Sequence, residues 1–592
     1  MKELKYPFDS SYILQNKKRI KRILIENHKE MTKKKIAILG GSTTSNITQV
    51  LELFLLDNNI VPEFYESEYN KYYEDAIFGN DNLDHFNPDI IYIYTTNRNI
   101  DKFPSILDSN EEIKNFENAQ YDKFKSIWKS LTEKFNVPII QNNFEPYFYR
   151  LLGNKDISDV HGKNNFINKL NNRFYEYANE HNNFYICDLN YIAADFGLKK
   201  WSNPYYYYLY KYAMCIEAIP YLSFNVSNII KSIFGKNKKG FVVDLDNTLW
   251  GGVIGDDGLE GITLGEEVST GEAFIEFQKY LKEYKDLGIL LNIDSKNDEK
   301  NALLGLTHPN SVLRANDFID IKANWETKDK NFNSIATDLN LSPESLLFID
   351  DNPAERHIVT SQIKGVVSPE IGESYDYIQN IDRGGYFEVT TISRDDSKRN
   401  DMYKENIERN KFQESFKDYS EYLKSLGMIA RISEFEMIHI SRITQLTNKS
   451  NQFNLTTRRY TQNELETITK DSNYITLYGQ LTDRFGDNGI VSLIVGKKED
   501  RVCDIELWLM SCRVLKRDME YAMMDKLVDV CIKNDILKII GHYYPTGKNM
   551  MVKDFYEELG FVKVYEEECG NKKYELELQK KYLKKNKVIK VV

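Results

Sequence analysis

The sequence predicts a multidomain α/β protein, and three patterns predict it. Short apolar runs alternate with polar helical stretches over the first two thirds of the chain, which implies parallel sheets covered by helices. Two of these runs, 35–41 and 241–243, lead directly into turns rich in chemistry-bearing residues, Gly41-Ser42-Thr43 and Asp244-Leu245-Asp246. The last third changes character. Its strand candidates crowd together around one long helix, so an α+β domain is expected there.

In chain order, residues 1–30 read as a helical lead-in. Strands are expected at 35–41, 88–94, 137–141 and 184–188, with helices at 111–135 and 164–180. This first unit covers 1–233 and ends at a basic, glycine-flanked linker, 234–240. A second α/β unit spans 240–390, with strands at 241–243, 289–293 and 346–349 and helices at 272–288 and 329–339. Residues 391–426 are charged and helical, as a connector would be. The third unit, 427–580, has strands at 475–480, 489–495, 504–509 and 538–542 and a helix at 517–533; 581–592 reads as a basic tail.

Bulk properties exclude several classes. The chain has 592 residues, enough for about three or four domains. It is 41% hydrophobic and 28% charged, which is ordinary for a soluble globular protein. A net charge of −11 gives no basic surplus for nucleic acid. Six scattered cysteines without a CxxC pair suggest neither disulfides nor zinc, so a cytoplasmic setting is expected. No apolar run approaches the ~18 residues of a membrane span.

Phe241-Val-Val-Asp-Leu-Asp-Asn-Thr248 carries the most chemistry. Asp244 and Asp246 leave the end of a buried strand together, so both can converge on one cation, with the Thr248 hydroxyl within reach. Paired carboxylates at a strand's carboxyl end suit phosphoryl transfer with Mg²⁺. Three segments fit them. Asp294-Ser-Lys-Asn297 is a turn whose Ser295 hydroxyl and amides, with Lys296 and Asn297, suit phosphate oxygens, although Ser295 also reads as a helix N-cap. Lys328 can supply positive charge, with Lys322 and Lys330 as competitors. Asp350 and Asp351 bring further acid after a third strand.

This set resembles the haloacid dehalogenase (HAD) superfamily. The resemblance implies a Rossmann-like parallel core, with Asp244 as nucleophile and Asp246 as general acid/base. It implies Mg²⁺ at Asp244, the Asp246 carbonyl, Asp350 and Asp351, and phosphate held by Ser295 and Lys328. The stretches from Asp244 to Ser295 and from Ser295 to Lys328 are too short for a large cap, so the site is expected to be open.

Trp250-Gly-Gly-Val-Ile-Gly-Asp-Asp-Gly258, Asn324-Trp-Glu326 and Phe348-Ile-Asp-Asp-Asn-Pro-Ala-Glu-Arg356 narrow the match. With these segments the chain is similar to the FkbH-like family, HAD subfamily IIIC. That resemblance implies removal of phosphate from a 1,3-bisphosphoglycerate-type donor and loading of the glyceryl unit onto an acyl carrier protein. Asn448-Lys-Ser-Asn-Gln-Phe-Asn-Leu-Thr-Thr-Arg-Arg459, Asp483-Arg-Phe-Gly-Asp-Asn-Gly489, Ser511-Cys-Arg-Val-Leu515 and Tyr556-Glu-Glu-Leu-Gly-Phe561 resemble its C-terminal half, which looks like a GNAT-fold acyltransferase. Acetyl-CoA users need a glycine-rich turn for pyrophosphate; the matching 513–518 has no glycine, so a carrier's phosphopantetheine arm is the expected partner.

Cys512 is the candidate thiol for a glyceryl thioester, with Arg513 to lower its pKa, or else a buried core cysteine. Asn451, Gln452, Asn454, Arg513 and Thr248 are candidate substrate or carrier contacts. His542 reads as structural. Family members often carry a cysteine where this chain has Asp294.

In the first unit, Leu39-Gly-Gly-Ser-Thr-Thr44 resembles the first block of SGNH hydrolases, with a flavodoxin-type α/β fold implied. Ser42 stands at the nucleophile position and Asn97 at an oxyanion position. The expected Asp-x-x-His would fall near 201–208, which has no histidine; His181 is the nearest upstream. Ser42 and Asn97 therefore suit a binding or scaffolding domain. The expectation is an FkbH-like enzyme with Mg²⁺, a phosphorylated donor and an acyl carrier protein, and without nucleic acid or membrane as partners. A Mg²⁺-dependent phosphatase for a sugar or glycan intermediate is the alternative, and a non-catalytic scaffold a third.

Overall fold

Strand β1 (Thr32–Gly40) is buried on both faces over its last five residues, so it must lie inside a sheet covered on each side. The computed structural model describes every residue except 28–30, 393–397, 451, 548 and 579–581, and the side chain of Lys449. β1, β2 (Ile60–Glu66), β3 (Ile90–Tyr94), β4 (Ile139–Asn142) and β5 (Phe184–Cys187) form a parallel sheet in the order β2-β1-β3-β4-β5. That order is doubly wound, with its switch point between β1 and β3. Helices Ser45–Asp57, Asn110–Phe135, Lys163–Glu180 and Ile219–Ile233 connect and cover the strands. Asn110–Phe135 begins at a capping box in which Ser109 and Glu112 satisfy each other's amides. β2 was not readable from the sequence: it is an edge strand, mostly half-exposed, and it holds Pro62.

The chain divides into two units, Met1–Ile233 with Glu388–Thr391 and Thr461–Asn463, and Phe234–Phe387 with Ile392–Tyr460 and Glu464–Val592. In the second unit, β6 (Gly240–Val243), β7 (Leu290–Ser295), β8 (Asp320–Ala323) and β9 (Leu346–Ile349) form a parallel sheet in the order β8-β7-β6-β9. Alternation divides its core between two faces. Phe241, Val243, Leu291 and Ile349 pack with Phe277 and Leu281, while Val242, Leu290 and Phe348 pack with Phe332, Ile335 and Leu339. β8 is half-buried throughout and carries Asp320 and Lys322, which hid it from a reading based on apolar runs.

The C-terminal region forms a mixed nine-stranded sheet. Its strands are β10 (Ile429–Ser433), β11 (Phe453–Asn454), β12 (Tyr474–Asp483), β13 (Gly486–Glu499), β14 (Val502–Met510), β15 (Lys538–Tyr543), β16 (Val562–Glu566), β17 (Lys572–Glu577) and β18 (Lys590–Val591). The order is β16-β17-β15-β14-β13-β12-β10-β18, with β11 on β14. Helix Met519–Lys533 buries Met519, Met523 and Leu527 against it. The stretch expected to be a basic tail is instead part of the fold among its described residues. Asp525 accepts from the Tyr582 hydroxyl and from the Lys585 and Asn586 amides, Ile589 is buried, and β18 pairs with β10.

The connector contains helices Arg399–Gln413 and Tyr419–Ser425. Arg409, fully buried, donates to both oxygens of the equally buried Asp483 at 2.7 and 2.9 Å, and Arg517 approaches the same carboxylate at 3.3 Å. A fork-to-carboxylate pair of this kind is strong only while complete. Arg409→Ala should therefore lower unfolding stability by about 3 kcal/mol or more in urea titrations, because the Asp483 charge stays buried with Arg517 as its remaining cation and the Phe485 and Gly486 amides as its other donors.

Candidate active site

β6, β7 and β9 are parallel neighbours, so the residues that follow them meet at one edge of the sheet. Asp244 follows β6, and its amide donates to the Ile349 carbonyl at the end of β9 at 2.9 Å. Asp350 and Asp351 follow β9. Asp244, Asp350 and Asp351 each bring an oxygen within 4.8 Å of the others. Lys328 opens helix Lys328–Asp338, and its Nζ lies 2.9 Å from Asp244 and 2.5 Å from Asp350. Its competitors are engaged elsewhere: Lys322 with Asp320 and Asp338, and exposed Lys330 with Glu326.

The surrounding bonds hold these groups in position. The Asn352 amide donates to Asp350 Oδ1, and Arg356 donates to the Asp350 and Asp351 carbonyls. The Thr248 hydroxyl accepts from the Asp351 amide and faces its carboxylate at 3.4 Å. The Asp246 carboxylate is held by three donors. One oxygen accepts from the Trp250 indole at 2.9 Å and the Ile254 amide at 3.1 Å, and the other accepts from Asn297 at 3.0 Å. Asn297 thus holds Asp246, and Lys296 pairs with Glu355 at 2.6 Å. Ser295, buried at the end of β7, accepts from the Asn324 amide through its carbonyl. The Trp250 and Arg356 contacts were not foreseen, because sequence spacing shows neither an indole nor a guanidinium folding back onto a loop.

Burial dominates the electrostatics. It raises Asp246 above the usual carboxylate range, helped by the Asp244 charge and opposed by the Ile254 and Trp250 donors. It pushes Asp350 up to about 6, with Asp244 adding to the effect. Burial alone would depress the Lys328 ammonium, but Asp244 and Asp350 outweigh it and hold the group above its ordinary range. Asp294, fully buried beside Asn331, is pushed up to about 8, mainly by burial.

The remaining candidates lie apart from this cluster. Cys512 opens a short 3-10 turn after β14 and is half-buried against the layer that holds Phe332, Leu339 and Tyr403. Its carbonyl accepts from Asn340 at 2.7 Å. Asn340 lies beyond the far end of the helix that Lys328 opens, ~18 Å away at helical rise. The Arg513 guanidinium is directed to the Ser511 hydroxyl and Met402 sulfur. Asn454 is fully buried in β11; Gln452 is half-buried, with its Oε1 unpartnered among the described residues; Asn451 lies outside them. His542 pairs with Asp504 at 2.8 Å.

In the first unit, Ser42 and Asn97 follow β1 and β3 at the switch point, where the Gly41 amide bonds the Tyr94 carbonyl. The Asn97 side-chain amide donates to the Glu145 and Pro146 carbonyls, so those donors face the protein and not an oxyanion. Glu145 was missed because 143–146 reads as an ordinary loop. It is buried, accepts from the Asn97 amide and is pushed up to about 8 by burial. His181 stacks on Tyr177.

Residues 35–231 match the model of the FkbH N-terminal domain. The chain is also similar to the N-terminal part of the protein BF1531 from Bacteroides fragilis, which contains a phosphatase domain and was crystallised with Mg. The two share 29% identity over 64% of this chain and 99% of that one, with a TM-score of 0.58. The C-terminal region aligns with the ribosomal-protein-S18-alanine N-acetyltransferase of Escherichia coli, at 13% identity over 26% of this chain and 100% of that one, with a TM-score of 0.21. Ard1 from Thermoplasma volcanium gives 20% identity over 25% and 97%, with a TM-score of 0.20. No curated protein matches the chain. Among the described residues, no helix is long and apolar enough to cross a membrane.

Asp294 yields a pH prediction. An unfolded chain releases this proton near pH 4, whereas the folded one keeps it to about 8, so Asp294 costs stability progressively across that window. In chelator-treated protein, Asp294→Asn should raise Tm, by an amount that grows from pH 4 to 8 and then levels off. Thermal unfolding of both forms along this pH series checks it.

Proposed function

We propose that this chain is a Mg²⁺-dependent phosphoryl-transfer enzyme of FkbH type. The observation that carries this is the convergence of Asp244, Asp350 and Asp351 around the buried Lys328 ammonium. An all-oxygen, carboxylate donor set of this kind fits a hard divalent cation. Asp244, Asp350 and Asp351 would hold Mg²⁺, with the Asp246 carbonyl as a further oxygen. Bound there, the ion would neutralise charge on the phosphoryl oxygens.

The chain's own groups account for the remaining roles. A carboxylate oxygen of Asp244 attacks phosphorus, and the bond from phosphorus to the leaving oxygen breaks. Asp246 gives that oxygen a proton; its raised pKa and three donors suit an acid held in one orientation. Water then attacks the aspartyl-phosphate, Asp246 takes the proton, and phosphate leaves with Asp244 restored. Lys328 balances charge beside the phosphoryl group, and Asn297 orients Asp246.

The finer reading is that the donor is of 1,3-bisphosphoglycerate type: Asp244 removes its phosphoester phosphate, the Cys512 thiolate attacks the acyl carbonyl and expels the acyl phosphate as inorganic phosphate, and the thiol of an acyl carrier protein then takes the glyceryl unit and restores Cys512. The FkbH match of 35–231 supports it. The test incubates enzyme, donor and a holo acyl carrier protein, then weighs the carrier. A glyceryl mass on the pantetheine thiol, absent with Cys512→Ala while phosphate release continues, is expected. A second reading, a phosphatase for sugar-phosphate or glycan intermediates, draws on the separation of Cys512 from Lys328 by the length of helix Lys328–Asp338. Phosphate release from sugar phosphates with a carrier that stays unloaded would favour it.

Asn297 gives an independent check. Asn297→Ala should lower kcat about tenfold or more and alter the pH profile of the acid-dependent step, with KM for donor little changed, because it frees Asp246 without removing a phosphate ligand. Steady-state kinetics across pH reads this directly.

A further inference from the structure

Helix Pro204–Tyr210 reads Pro-Tyr-Tyr-Tyr-Tyr-Leu-Tyr, aromatic or apolar on every side, yet it buries none of its residues. A helix with no polar face is ordinarily an inside helix. This one is fixed at the surface from both ends. Asn203 caps it by accepting from the Tyr205 amide at 3.0 Å, and Pro204 opens it, where an amide would have no helical partner in any case. At the other end the Thr43 amide donates to the Lys211 carbonyl at 3.2 Å, and the Thr43 hydroxyl to the Tyr210 carbonyl at 2.7 Å. Asn46 donates to the Tyr212 hydroxyl at 2.9 Å. Thr43 follows β1, so this apolar helix is pinned beside the β1–β3 switch point.

Arg98, which follows β3, joins this helix to the loop after β4. Its guanidinium lies 4.2 Å from the centre of the Tyr207 ring and 5.1 Å from that of Phe148. Phe148 packs edge-on against Tyr149, whose hydroxyl accepts from Lys163 at 2.7 Å. Lys211 lies 5.3 Å from the centre of the Tyr207 ring and donates to the Tyr208 carbonyl. Arg98, Lys163 and Lys211 are all half-buried, and none of them pairs with a carboxylate among the described residues. Glu145 gives Arg98 no counter-charge at neutral pH, since burial holds its proton to about pH 8. Ring faces offset only part of the cost of keeping a cation half out of water. Around these cations, Phe148, Tyr149, Tyr205, Tyr208 and Leu209 are each 45–69% exposed. Joined aromatic surface of this kind marks a binding face, and tyrosine with arginine is the composition of interface hot spots.

We propose that Arg98, Phe148, Tyr149 and helix Pro204–Tyr210 form a docking face for an acidic partner protein, and that this partner is the acyl carrier protein. The naming of the carrier rests on the acyl-carrier reading above; the face itself does not. Carboxylates of the partner take the donors of Arg98, Lys163 and Lys211, and its apolar side chains cover Tyr205, Tyr208 and Leu209. The extent of the patch favours a small protein over a bilayer or a nucleic-acid duplex. Screening confines these charges to about 8 Å at physiological salt, so an acidic protein of patch size meets chiefly the three cations. A wider anionic surface would also face the rest of a chain whose net charge is −11.

The test titrates the full-length protein with the apo form of an acidic acyl carrier protein, which lacks the pantetheine thiol, and reads the affinity by calorimetry. Arg98→Glu should weaken binding about tenfold or more, and Tyr208→Ala several-fold. Raising NaCl from about 50 to about 200 mM should weaken binding by the parent as well. A carrier with its helix carboxylates replaced by lysine should bind Arg98→Glu more tightly than the parent, a reversal that a merely structural role of Arg98 does not produce. Tyr208→Ala keeps the test decisive should Arg98→Glu misfold, because the Tyr208 side chain is 69% exposed and makes no hydrogen bond among the described residues. No carrier binding by the parent, equal affinity in all three forms, or binding of mixed phosphatidylcholine–phosphatidylserine vesicles in place of the carrier overturns the docking face. Docking that follows these variants, together with a holo carrier that stays unloaded, would uphold the face and count against glyceryl transfer alone.

Discussion

One buried ammonium makes the carboxylate cluster possible. Asp244, Asp350 and Asp351 converge at the carboxyl ends of β6 and β9, where so many like charges would otherwise repel strongly at low dielectric. Lys328 bridges two of them from the first turn of its helix. Asp294 relieves the crowding differently, by retaining its proton up to about pH 8. With the three cluster carboxylates ionised and Lys328 charged, two negative charges remain, a deficit of the size that a divalent cation would fill. The parallel order of β7, β6 and β9 follows from the same requirement, since only parallel neighbours deliver all these residues to one edge.

Much of this was legible in the sequence because the groups lie next to strands. Apolar runs ending in Asp244, Ser295 and Asp350 gave both the strands and the site, and Lys328 prevailed over Lys322 and Lys330 because it alone opens the helix that faces the strand ends. What escaped were contacts that run back on themselves. Asn297 looked like a phosphate ligand but bonds Asp246, an outcome set by how the loop after Trp250 curls. β8 and β2 escaped because half-exposed edge strands carry charge and proline, which apolar periodicity does not register.

The C-terminal domain shows a second limit. Asn454 was singled out from its motif, yet its role as the buried anchor of an inserted strand depends on a bulge at Glu506 and on the divergence of β14 from β15, both properties of register. The supposed tail shows the same limit: its lysines suggested solvent, while Ile589 and the Asp525 carboxylate drew it into the sheet. The domain also bears on the chemistry. Cys512 lies just past β14 and about a helix length from Lys328, so the thiol and the carboxylate cluster are separate places in the fold.

The central claim is that Asp244 carries the phosphoryl group. The most direct measurement is an acid-quenched single-turnover reaction with Mg²⁺ and a donor labelled in its phosphoester phosphate, followed by mass spectrometry of the peptide spanning 241–250. Label on Asp244 that forms and decays at the rate of phosphate release is the predicted result. Phosphate release with no label at that position, or release undiminished in Asp244→Asn, would contradict it.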